Sequence, residues 1–210
     1  MRRFALLGLL FAPAAYGQQV VYDNTTTDQG VTMPLLPEWR DDSAEAGDEI
    51  WLTGDGLVAT EIKLLFFYLG TAPGTIDLRL RFRHVDEVTE TPSDVFYDTG
   101  VMPGVPTLGG MNEYTFSLPN VVVPQRFVWT VQAYNRQGSV GELGPRYFSP
   151  PTVGFSDDFF WLSDMGSEWT QYSWGGEPVA NFGARLTAVP EPGSLCVLAF
   201  GAVLLWRRRR

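Results

Sequence analysis

The chain has 210 residues, 45% of them apolar and 14% aromatic, with 22 Gly, 15 Pro, one Cys and one His. This is too apolar for a disordered chain and long enough for one sizeable core; the single Cys196 and single His84 exclude disulfide scaffolds, cysteine-based zinc clusters and multi-histidine metal sites. The formal net charge is −9 over the whole chain, and residues 18–188 alone hold nine basic and 23 acidic residues, a net −14 that disfavours nucleic acid and anionic lipid as partners.

At the N-terminus Met1-Arg2-Arg3 precedes an apolar run from Phe4 to Ala12, and Ala15-Tyr16-Gly17 precedes the polar pair Gln18-Gln19. A charged start, a short apolar run and a small-x-small site make a secretory signal peptide. Residues 1–17 are therefore expected to engage the secretion machinery and to be removed by signal peptidase between Gly17 and Gln18. Nine apolar residues are too few to span a bilayer.

From there on the hydrophobic period is two, that of strands. Val20–Tyr22, Glu49–Leu52 and Ile62–Leu69 come first. In Thr75–Arg83, Ile76, Leu78, Leu80 and Phe82 alternate with Asp77, Arg79, Arg81 and Arg83, giving a core face and a solvated face. Val95–Tyr97 follows, then Tyr114–Leu118, where Thr115 and Ser117 alternate with the apolar residues. Phe127–Tyr134 sets Phe127, Trp129, Val131 and Ala133 inward, and Arg146–Phe148 and Asn181–Leu186 complete the series. Gly and Pro punctuate it at Ala72-Pro73-Gly74, Met102-Pro103-Gly104, Gly109-Gly110, Leu118-Pro119-Asn120, Gly144-Pro145, Pro150-Pro151 and Trp174-Gly175-Gly176, all read as turns. Short strands so spaced predict an all-β fold, an antiparallel β-sandwich of jelly-roll-like type.

Little in this region points to catalysis. His84, in Arg83-His84-Val85-Asp86, has no nucleophile motif beside it and reads as a surface residue. The adjacent carboxylates Asp41/Asp42, Asp48/Glu49, Asp86/Glu87 and Asp157/Asp158 would point to opposite strand faces and read as solvated surface charge. No catalytic residue, metal site or cofactor is expected. Structural calcium is the alternative, with oxygens from Asp23, Asn24 and Asp28 or from Asp157 and Asp158, although no Asp-x-Asp-x-Asp-Gly spacing occurs. Trp161, Trp169, Tyr172 and Trp174 crowd one stretch near Asp157. They read either as rings capping the core or as a platform for a polysaccharide, with Asp157 bonding hydroxyls.

The chain closes on Val189-Pro190-Glu191-Pro192, Gly193-Ser194, an apolar stretch from Leu195 to Trp206, and Arg207, Arg208, Arg209 and Arg210. Two prolines around a carboxylate predict an extended boundary. The apolar stretch fits a short membrane helix over about residues 193–206. The terminal arginines favour the cytoplasmic side, which places everything N-terminal to the helix outside. In the order of its parts this tail resembles the PEP-CTERM sorting signal of Gram-negative bacteria. The resemblance implies recognition by an exosortase, a membrane-embedded Cys-dependent processing enzyme, with cleavage near Pro190 to Pro192 and transient membrane insertion of the precursor. A second, broader series includes Ala46-Gly47-Asp48-Glu49-Ile50, Phe96-Tyr97-Asp98-Thr99-Gly100, Asp158-Phe159-Phe160-Trp161 and Ala180-Asn181-Phe182-Gly183. It resembles a β-rich domain common in PEP-CTERM proteins, which implies fold and location but no activity.

The expected organisation is a signal peptide (1–17), a β-sandwich ectodomain (18–187) and a sorting signal (188–210). The expected role is that of a secreted envelope or extracellular-matrix protein, structural or adhesive and not an enzyme. A polysaccharide-binding module contacting exopolysaccharide is the first alternative and a carbohydrate-active enzyme the second.

Overall fold

A computed structural model describes residues 17–35, 44–70, 72–138, 142–164 and 168–191. The signal-peptide expectation for 1–16 and the membrane-helix expectation for 193–206 lie outside these residues. Among the described residues there is no helix, and thirteen strands carry the fold. They are β1 (Gln19–Asp23), β2 (Asp28–Thr32), β3 (Glu45–Trp51), β4 (Leu57–Tyr68), β5 (Gly74–Val85), β6 (Pro92–Asp98) and β7 (Met102–Thr107). The remainder are β8 (Gly110–Val123), β9 (Arg126–Gln137), β10 (Leu143–Phe148), β11 (Phe160–Ser163), β12 (Thr170–Tyr172) and β13 (Ala184–Pro190).

The strands form two antiparallel sheets. In the first, β4 takes β13 along Leu57–Leu64 and then β10 along Phe66–Tyr68. Its other edge pairs with β8, while β1 and β2 extend the sheet beyond β13 and β10. The second runs β12-β11-β3-β9-β5, and β6 and β7 share the outer edge of β5. Period-two alternation sends Ile62, Leu64 and Phe66 of β4 and Phe116 of β8 into the same core as Ile76, Leu78, Leu80 and Phe82 of β5 and Phe127, Trp129 and Val131 of β9. Trp129 of the second sheet meets Phe182, just before β13, with ring centroids 6.0 Å apart.

Three sequences expected to be turns lie inside strands. Met102-Pro103-Gly104 opens β7, an edge strand that tolerates proline because its outward N–H positions need no ladder partner. Ile76 faces Val105 and Leu78 faces Met102, so Pro103 and Gly104 together oppose Asp77 in a bulge, and the Gly104 N–H donates to Asp77 Oδ1. Leu118-Pro119-Asn120 lies within β8, likewise at a sheet edge, where the register against β4 shifts and Asn120 takes a φ of 56°. Gly144-Pro145 lies in β10, where a Cβ on Gly144 would sit 1.6 Å from the Met33 carbonyl oxygen; the glycine is there for close approach. Four strands, β2, β7, β11 and β12, have no counterpart in the periodicity, being short, polar or proline-bearing.

Candidate functional site

The sorting boundary is continuous with the fold. In β13, between β1 and β4, Val189 pairs with Val58 and Pro190 with Leu57. The Glu191 N–H donates to Gly56 O at 2.6 Å. Val189, Pro190 and Glu191 are half-buried. Pro192 and Arg207 to Arg210 lie outside the described residues. Gly17 and Gln18 are exposed at the start of them, the Gln18 amide reaching Thr60 Oγ1 at 3.2 Å.

The five residues proposed as a glycan platform are distributed over different surfaces. β11 and β12 pair Trp161 with Gln171 and Phe160 with Tyr172, which puts Trp161 on the outer face and Tyr172 on the inner one. Trp161 is only 5% exposed. Trp169 is half-buried, and its ring lies under the Arg83 guanidinium 5.0 Å away. Tyr172 stacks on buried Phe160 (5.4 Å, 17°) and is 38% exposed, whereas Trp174 is 53% exposed and donates Nε1–H to Tyr147 Oη at 3.3 Å. Asp157 is exposed. Its neighbour Asp158 anchors the following loop, accepting from Ala180 N at 2.6 Å and Ser173 Oγ at 3.4 Å.

The arginine face of β5, expected to be solvated, is an ion-pair ladder. Arg79 bonds Asp98 of β6. Arg81 donates to Glu45 Oε2 at 2.6 Å, and Arg83 reaches both Glu45 oxygens at 3.1 and 3.2 Å. Thr130 also bonds Glu45, which is 2% exposed. Partial burial pushes the Asp98 carboxyl up, but bonds from Arg79 and the Gly100 N–H outweigh it and hold the group below the usual carboxylate range.

Asp48 and Glu49 are likewise not solvated. They point to opposite faces, as strand neighbours must, yet both are buried. Asp48 follows the inward frame of Ala46 and Ile50, and its Oδ2 accepts from Phe182 N at 3.1 Å while Oδ1 has no partner. Desolvation raises its pKa well above the ordinary value. Tyr22, Asn24 and Ser156 join it in a polar pocket inside the core: Tyr22 donates to Ser156 Oγ at 3.1 Å, and Asn24 to the carbonyls of Phe148 and Phe182. On the outer face burial raises Glu49, which bonds Arg126.

Of the oxygens considered for calcium, those of Asp23 accept from Thr25 and those of Asp28 from Arg146, whereas Asn24 Oδ1 is buried with no hydrogen-bond partner. Among the described residues no three His, Cys, Asp or Glu side chains converge as a metal site would require. His84 packs on Phe96 at a tilt, ring centroids 4.6 Å apart, and faces Asp94 at 3.9 Å. Periodicity did not foretell a cleft of about 410 Å³ between the free edges of β7 and β8, lined by Leu78, Met102, Val105, Met111, Tyr114 and Phe116. The Tyr114 hydroxyl there is buried without a partner, and burial raises its pKa. The available signal for this feature was Gly109-Gly110, where the chain passes from β7 at the edge of one sheet to β8 at the edge of the other.

The family model of the PEP-CTERM protein-sorting motif matches residues 188–210. No curated protein and no solved structure matches the chain. The motif marks an exosortase substrate, exported and placed at the cell surface or outside the cell after processing.

Proposed function

We propose that this chain is a processed envelope or extracellular-matrix protein whose ectodomain is structural or adhesive rather than catalytic. The carrying observation is the sorting motif at residues 188–210. A structural role is supported by the way charged groups are used. Glu45 is committed to Arg81, Arg83 and Thr130, and Asp158 to a loop, an arrangement that secures the fold. A jelly-roll reading of the sandwich is supported by strand order. Of the twelve steps between successive strands eight change sheet, the exceptions being β1 to β2, β5 to β6, β6 to β7 and β11 to β12. Mass spectrometry of the mature protein from its native host tests the proposal: no peptide containing Arg207 to Arg210 is expected, and Glu191→Gln should leave the precursor in the membrane. Recovery of an intact C-terminus from the cell surface would sink it.

A second reading, polysaccharide binding, rests on the exposed rings of Tyr172 and Trp174. Tyr172→Ala and Trp174→Ala should then abolish retention in affinity electrophoresis on the host exopolysaccharide, with the fold intact. Unchanged retention would reject this reading.

A further inference from the structure

Among the described strands β7 pairs only with β5 and β8 only with β4, so the two are edges of opposite sheets and leave one side of the sandwich open between them. Core residues Leu78 and Phe116 thereby become walls of the cleft. Its volume of about 410 Å³ falls within the roughly 300 to 1,000 Å³ of small-molecule pockets.

The polar side chains around it differ in what they have left to bond. Asn112 commits its amide to the turn before β8, accepting from Leu108 N at 2.8 Å and donating to the carbonyls of Leu108 and Gly110 at 2.8 and 3.0 Å. Glu113 and Thr115 alternate to the exposed face of β8, and Glu113 pairs with Lys63 at 2.7 Å. Tyr114 is only 6% exposed, packs edge-on against Phe66 with ring centroids 5.3 Å apart, and has a hydroxyl bonded to nothing. A buried hydroxyl in that state is costly, and a ligand oxygen seated against it would remove the cost.

We propose that the cleft binds a small, uncharged, mainly apolar molecule with one hydrogen-bond acceptor oxygen, to which the Tyr114 hydroxyl donates. Charge sets the class. Among the described residues no Lys, Arg or His lines the cleft, and its one carboxylate is already paired, so an ionised group brought there would lose its hydration with no counter-charge in return. Burial raises the Tyr114 pKa, which keeps the hydroxyl protonated and a donor. Admission falls to Met102 and Met111, one on each edge strand, because an unbranched side chain re-packs readily. The mouth is apolar, with Met111 43% and Leu108 60% exposed. An added peptide strand fits less well, since the β7 edge carries Pro103 and Pro106, which have no N–H for a new ladder.

The test is isothermal titration calorimetry on the protein recovered from its native host, kept free of detergent, with 2-nonanone as the probe and nonanoate as its charged counterpart. Saturable one-to-one binding of 2-nonanone is expected, with nonanoate at least about tenfold weaker at neutral pH. Tyr114→Phe keeps the ring and removes the unbonded hydroxyl, so its melting temperature should not fall while the ketone binds at least about fivefold more weakly, the loss of one hydrogen bond. Met111→Asp, at an exposed position, is the second variant; it sets a charge at the mouth and should weaken the ketone as well. Absence of saturable 2-nonanone binding, unchanged affinity in either variant, or nonanoate binding as tightly as the ketone overturns the proposal.

Discussion

At Asp48 the alternation that builds β3 sends a carboxyl group into the core, with one oxygen bonded to Phe182 N and the other to nothing. Its folded pKa is raised above the unfolded value near 3.9, so the native state holds the extra proton. Its contribution to stability is fully present below about pH 4, falls as pH rises above that, and stays lost above the folded pKa. Asp48→Asn keeps an acceptor for Phe182 N and cannot ionise. It should stabilise the domain at pH 7 and change little near pH 4, as a higher melting temperature at pH 7 alone would show. Glu45 is buried as well, with Arg81, Arg83 and Thr130 bonded to its carboxyl oxygens. Glu45→Ala removes the buried carboxylate that two poorly solvated guanidinium groups share, leaving Arg81 its longer 3.4 Å contact with Asp98 and Arg83 a carbonyl bond to Ser93, and should cost about 3 kcal/mol in denaturant melts.

Among the elements, β5 and β9 join the core to the ion-pair face. Leu80 faces inward opposite Val131, and Arg81 outward beside Thr130. Leu80→Ala should cost about 2 to 5 kcal/mol, while a loss under about 1 kcal/mol would mean the site collapses around the smaller side chain. β3 reaches β9 through a glycine: a Cβ on Gly47 would lie 1.9 Å from Trp129 O and 2.7 Å from Thr130 Cα, both backbone atoms. Gly47→Ala must therefore push β3 away from β9. Loss of amide protection across Ala46–Ile50 is the expected result, and unchanged protection would refute this account of the pairing.

At the scale of the whole molecule, the buried apolar residues described in the two sheets belong to one cluster, apart from Val58, Val128, Phe148 and Trp161. Residues 18–191 should accordingly unfold in a single transition, with far-ultraviolet dichroism and tryptophan fluorescence melting at the same temperature. Two separated transitions would show that the sheets are independent units. The strand ends also set how the domain is held, because the N-terminal Gln19 and the C-terminal Ala188 are paired neighbours. The first and last described strands thus begin and finish at the same end of the first sheet.

What the sequence by itself determined was whatever is local or periodic. Ile76, Leu78, Leu80 and Phe82 declared their face because strand side chains alternate, and the motif ending in Arg207 to Arg210 is a linear signal read without folding. Only tertiary structure decided the rest, because a neighbour's identity depends on register and strand order. Arg83 has the same alternation as a solvated arginine, and it is buried because Glu45, distant in sequence, and Trp169 fold against it. Pro103 and Gly144 look like turn residues until an edge position or a close backbone approach gives each a place in a strand. Trp161 and Trp174 are chemically alike and thirteen residues apart, yet one is covered and the other open, since β11 is an inner strand and the loop after β12 lies at the sheet's edge.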